Sequence, residues 1–105
     1  MKLTEAQIAI TEKQFRQNVI DLAKVLGYDY YFSWTSIHSP RGWPDLSLAR
    51  EGQPIIFIEL KVGKNKPTEL QKHWIELLNT TGNKAFVFWP YQWDEIVEVL
   101  NGDNA

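Results

Sequence analysis

The chain of 105 residues contains no cysteine, which excludes a disulfide framework and any thiolate-based metal centre. It holds no apolar run near the roughly 20 residues that a membrane-spanning helix needs. Its first residues lack the apolar stretch of a secretory signal, so a cytoplasmic location is the default expectation. There is no excess of positive charge either. Eleven Lys and Arg stand against 13 Asp and Glu, a net charge of −2. Strong nucleic-acid binders are usually basic, so this balance counts mildly against that class unless carboxylates are gathered in one place. Repeats, linkers and low-complexity tracts are absent, and the length suits one domain with a single core. What the chain does have is aromatic residues: 5 Trp, 5 Phe and 4 Tyr. That is more than a small core needs, and some are expected to serve a surface or an interface.

The residues from 42 to 61 organise the rest. Two short apolar runs, Leu46 to Ala49 and Ile55 to Ile58, flank the turn signal Arg50-Glu51-Gly52-Gln53-Pro54. This predicts a β-hairpin with a five-residue loop. The second run continues into Glu59-Leu60-Lys61. Side chains alternate along a strand, so Glu59 and Lys61 share one face and Leu60 takes the other. Asp45, just after Pro44, opens the first strand, and hairpin pairing brings it to the end of the second. Two carboxylates and one ammonium therefore converge on one end of an apolar hairpin.

Two nearby carboxylates repel, and without a counter-charge one of them tends to hold a proton. A divalent cation resolves the conflict. Mg²⁺ or Mn²⁺ takes hard oxygen ligands, and Asp45, Glu59 and the backbone carbonyl of Leu60 form a candidate set. An ion so placed activates water and neutralises charge on a phosphate, while Lys61 positions the water or stabilises the developing charge. The plainer alternative is a surface Glu-x-Lys pair worth well under ~1 kcal/mol. It is disfavoured because these charges follow Ile-Ile-Phe-Ile, a run suited to a strand buried on both faces, where unpaired charge is expensive. Lys64, Lys66 and Lys72 follow within a stretch whose one acid is Glu69, and Arg41 precedes the Pro-Asp pair. They make a candidate phosphate-binding rim, although a solvated loop has the same composition.

Around the hairpin the periodicities are regular. Thr11 with Gln14 fits a capping box, and Phe15, Val19, Leu22, Ala23 and Leu26 give a helical stripe, so a helix over about 12–26 is predicted, ended by Gly27. A shorter lead-in helix is placed within residues 1–10. Tyr28 to Trp34 reads as a strand, followed by a polar loop to Trp43. Thr68 with Gln71 opens a second capped helix with Leu70, Trp74, Leu77 and Leu78 as its stripe, closed by Gly82. Lys84 to Trp89 is a strand stopped by Pro90, and a last helix covers about 91–100. The order α-β-β-β-α-β-α predicts an α/β fold of three layers, a mixed central sheet flanked by helices.

Gly42-Trp43-Pro44-Asp45-Leu46 and Glu59-Leu60-Lys61, with Glu12 before them and Gln71 after, resemble the VRR-NUC domain of the PD-(D/E)xK nuclease superfamily. The resemblance runs from about Thr11 to Leu100 and implies a restriction-endonuclease-like core. It implies a metal-dependent DNA endonuclease with Asp45 and Glu59 as metal ligands, Lys61 as the catalytic base or water-positioning group, and Glu12 and Gln71 supporting the site. From residues alone, Glu12 is an acid complementing a helix dipole and Gln71 is a cap residue. His38 is a weak substrate-contact candidate, since a lone loop histidine is more often a solvated bystander. No sequence-reading element such as a recognition helix is evident, so structure-selective action on junction, flap or branched DNA is expected, in the manner of Holliday junction resolvases. The resemblance also implies a homodimer and a phage or bacterial host cell, with no organic cofactor. The competing expectations are a nucleic-acid-binding module or complex subunit with little cleavage of its own, and a purely structural α/β module.

Overall fold

The computed structural model describes residues 10–33 and 41–102. The lead-in helix expected before residue 10 lies outside them. Helix α1 spans Glu12–Val25, and its start is fixed by the reciprocal capping box: Gln14 N donates to Thr11 Oγ1 and Thr11 N to Gln14 Oε1. Phe15, Val19, Ile20 and Ala23 form its buried stripe, with Leu22 and Leu26 packed at the margin. Gly27, at φ +87°, lets the chain reverse into strand β1 (Asp29–Phe32). Strands β2 (Leu46–Ala49) and β3 (Ile56–Leu60) form the hairpin. Helix α2 (Glu69–Asn79) crosses to strand β4 (Lys84–Phe88), and helix α3 (Trp93–Asn101) closes the chain.

The sheet order is β1-β2-β3-β4, with β3 and β4 parallel and the other neighbours antiparallel. This is the mixed three-layer α/β arrangement predicted. On one face Leu46, Leu48, Ile56, Ile58, Leu60 and Phe88 pack against the stripes of α1 and α3. On the other, Phe57 and Ala85 meet Leu78 of α2, with Trp43 and Ile75 alongside.

Strands β1 and β4 are shorter than expected, and two further boundaries differ for a local reason. The hairpin connection includes Ile55, because its N–H donates to Asn83 Oδ1 at 3.1 Å and its carbonyl accepts from Lys84 N at 3.0 Å. Ile55 is thus drawn toward β4 instead of β2. The last helix begins later, at Trp93, because Pro90–Gln92 winds as a 3₁₀ turn in which Gln92 N donates to Trp89 O at 2.9 Å.

Candidate active site

The hairpin register pairs Leu46 with Ile58 and Leu48 with Ile56. Continued outward, it sets Asp45 opposite Glu59 and Pro44 opposite Leu60. The ladder ends there, because proline has no N–H to give. The Asp45 side chain takes over: its Oδ2 accepts the Leu60 N–H at 3.0 Å, while its backbone carbonyl accepts Ser33 N at 2.9 Å. One aspartate so ties three strands together at their ends. In a strand the N–H and C=O of a residue point to the same side. The Leu60 carbonyl therefore points toward Pro44, where no ladder donor stands.

Glu59 is the decisive residue. It is 2% exposed, the one buried polar or charged residue among the described residues. Its Oε2 accepts from Lys61 Nζ at 3.3 Å and from Gln71 Nε2 at 2.9 Å. Its Oε1 is buried and has no partner. A buried oxygen left unpaired costs about 1–3 kcal/mol, more when charged, so natural structures seldom retain one without a use. Burial first, then the Asp45 charge, raise the Glu59 carboxyl from its ordinary value to about 8, against the opposing pull of Lys61. The orphan oxygen, the neighbouring Asp45 and the Leu60 carbonyl are the hard-oxygen set that suits Mg²⁺ or Mn²⁺. Among the described residues, no three His, Cys, Asp or Glu side chains form a metal-holding group by themselves. The fit is that of an ion taking two carboxylates with carbonyl, water or phosphate oxygen.

Gln71 makes a contact at each end of its amide. Its Oε1 accepts the Thr68 N–H at 2.8 Å as the capping-box partner, and its Nε2 holds Glu59. The placement of α2 that allows this comes from the Gly-Trp segment. Gly42 lies at φ +84°, and a Cβ there would stand 2.6 Å from the Leu70 carbonyl carbon. Only glycine lets the loop lie this close to the first turn of α2. Trp74 Nε1 donates to Arg41 O at 2.9 Å, and Trp43 packs edge-on against Trp74 and Phe57 at 4.9 and 5.6 Å between centroids.

Glu12, in the first turn of α1, is exposed as a residue, yet its carboxyl sits above its ordinary value. Burial is the first cause and the Asp45 charge the second, while Lys61 and Arg16 pull it down. It thus lies within electrostatic reach of the hairpin acids. Arg16, which the sequence reading did not single out, follows one turn later with its guanidinium 3.9 Å over the Phe32 ring. The spacing of four from Glu12 was the available signal. Lys64, Lys66 and Lys72 line one groove beside the site, and Arg41 lies outside it with an exposed side chain. His38 lies outside the described residues.

No family model and no curated protein matches the chain. A solved structure described as a VRR_NUC domain protein is similar to it, with a TM-score of 0.67, 24% sequence identity, and coverage of 90% of this chain and 88% of that one. The chain has the VRR-NUC fold. Within this VRR-NUC fold, the acids, the lysine and the capping glutamine gather where the ends of β2 and β3 meet the start of α2.

Proposed function

We propose that the protein is a metal-dependent endonuclease that hydrolyses DNA phosphodiester bonds, with selectivity for branched, flap or junction structures. The observation that carries this reading is Glu59: a buried carboxylate with one oxygen tied to Lys61 and Gln71 and the other left open beside Asp45. Asp45, Glu59 and the Leu60 carbonyl would hold Mg²⁺ or Mn²⁺. Such an ion, when bound, supplies Lewis acidity and a water of lowered pKa. The protein's own groups do the rest. Lys61, 14% exposed at its side chain, presents an ammonium at the mouth of the site, where it orients the attacking water and offsets charge on the phosphate. Gln71 keeps Glu59 in one rotamer. Glu12, with a carboxyl more basic than that of a free glutamate, would take the proton that the water gives up. The water oxygen bonds to phosphorus as the bond to the leaving sugar oxygen breaks, and that oxygen takes up a proton from solvent water.

Structure selectivity is proposed because no helix is free to enter a major groove: all three described helices pack on the sheet. A two-fold dimer on branched DNA extends the same reading. It is supported by the exposed aromatics of edge strand β1, Tyr30 at 48% and Tyr31 at 64%. Sedimentation at micromolar concentration checks it, and an active monomer would remove it.

A second reading, a binding module without turnover, is favoured by the lack, among the described residues, of a group of three metal-ligating side chains. One experiment separates the two. Labelled linear, flap and four-way-junction DNA is incubated with Mg²⁺, Mn²⁺ or EDTA, with Lys61→Ala as control. The nuclease reading expects metal-dependent cuts, most on a branched substrate and absent in the variant. Binding without cuts under either metal selects the module.

A further inference from the structure

Beyond Lys61 the chain forms a loop, residues 62–67, that faces the corner after β4. The register of the parallel pair sets Leu60 beside Phe88, and Lys61 N donates to Phe88 O at 3.0 Å. Trp89 is therefore the neighbour of Lys61 across the strands, about 5 Å away by the ordinary strand spacing. Trp89 Nε1 donates to the Asn65 carbonyl at 3.0 Å, which fixes ring and loop to each other. The Tyr91 ring lies nearly parallel to that of Trp89, 6.3 Å between centroids and 27° between planes, and Tyr91 is 60% exposed. Between loop and corner lies a groove of about 550 Å³, whose walls include Lys64, Lys66, Lys72 and the two rings.

In a chain of net charge −2, three lysines in one groove are a local reversal of sign. Among the described residues, Lys64 and Lys66 have no ion-pair partner, and Lys72 makes one exposed pair with Glu69 at 3.3 Å. Such a pair is weak enough for a phosphate to compete with it. Neither ring is needed by the core: Tyr91 packs on neither apolar cluster, and Trp89 is half-buried. Cations beside a fixed aromatic platform match a sugar-phosphate strand whose bases are free to stack, and not a duplex, whose bases are already stacked on one another.

We propose that this groove is a subsite for an unpaired DNA strand, with a base stacked on the Tyr91–Trp89 platform and its flanking phosphates held by Lys64, Lys66 and Lys72. It deepens the nuclease reading and rests on it for the strand's course: the strand leaving the platform passes Lys61, next to the acids. The source of selectivity for flaps and branches would then be a short single-stranded segment gripped beside the bond to be cut.

The test is fluorescence anisotropy of labelled dT12 with the full chain in EDTA, so that binding is read without cleavage. A blunt duplex of the same length and an rU12 strand are run in parallel. Tyr91→Ala is expected to weaken dT12 binding by about tenfold, and Tyr91→Phe, which keeps the ring, to restore it. The double variant Lys64→Ala, Lys66→Ala is expected to flatten the slope of log affinity against log salt by about 1.4. Melting curves of the variants, all at exposed positions, establish that they remain folded. Unchanged dT12 binding in Tyr91→Ala, or duplex binding as tight as dT12, overturns the proposal, and preference for rU12 over dT12 overturns the assignment to DNA. The two readings fail separately. Retained dT12 binding with no cleavage under any metal removes the nuclease and leaves the subsite, whereas metal-dependent cleavage with Tyr91→Ala binding like the wild type removes the subsite alone.

Discussion

Beneath α1 and α3 the sheet presents Leu46, Leu48, Ile58 and Leu60, all at 0% exposure and packed within one apolar cluster. Beneath α2 the same strands offer a smaller apolar cluster around Phe57, Leu78 and Ala85, and then Glu59, buried with one oxygen unpaired. The alternation of β3 makes this division possible. Ile56, Ile58 and Leu60 serve one face while Phe57 and Glu59 serve the other, so a single five-residue strand supplies both a core and a site. The larger face secures the fold, which lets the smaller one hold a group that opposes folding.

The comparison breaks first if the α2 face does not carry the chemistry. Lys61→Ala should lower the initial rate of strand cleavage by about 10²–10³-fold, measured with saturating metal, while leaving the melting temperature within a few degrees. Leu48→Ala tests the other face. It should destabilise by about 2–5 kcal/mol in denaturant titration, yet leave cleavage per folded molecule unchanged at low temperature. A pH series on the site then measures its opposition to folding. Glu59 in the folded chain holds its proton to about pH 8, whereas in the unfolded chain it ionises near its ordinary value of 4.5. The folded state binds the extra proton between those limits, so its contribution to stability is full below about 4.5 and is lost as pH rises through 8. Glu59→Gln should therefore raise the melting temperature by about 5 °C at pH 8.5 and by almost nothing at pH 4.5. In the wild type, added Mn²⁺ should stabilise more at pH 8.5 than at pH 6, because the ion must displace that proton. The smallest effect belongs to Gln71→Ala. Loss of the reciprocal cap should remove about 1 kcal/mol, with a decline in cleavage that Gln71→Glu, which keeps the cap, does not spare.

How much of this was legible in the chain follows from how local each signal is. The two capping boxes, Thr11 with Gln14 and Thr68 with Gln71, are contacts within one turn, and each helix starts where they place it. The approach of Asp45 to Glu59 needed only the turn signal and the period of two. Ile55 was misplaced because its fate depends on Asn83, 28 residues away. For Gln71 the spacing showed only the cap; its contact with Glu59 depends on the position of α2, which Gly42 and Trp43 set from across the fold. The platform of Trp89 and Tyr91 was counted among surplus aromatics but not located. It faces the lysines because β4 runs parallel to β3, a pairing on which neither strand's own sequence is specific.

Gln71 leaves one more consequence. Its amide is engaged at both ends, oxygen on the backbone of Thr68 and nitrogen on Glu59, so the opening of the first turn of α2 and the displacement of Glu59 are one event. The Thr68 amide proton, guarded by that oxygen, therefore exchanges with solvent at a rate that reports the state of the carboxylate. If the proposed ion binds, hydrogen exchange should slow at a helix end that no ligand touches.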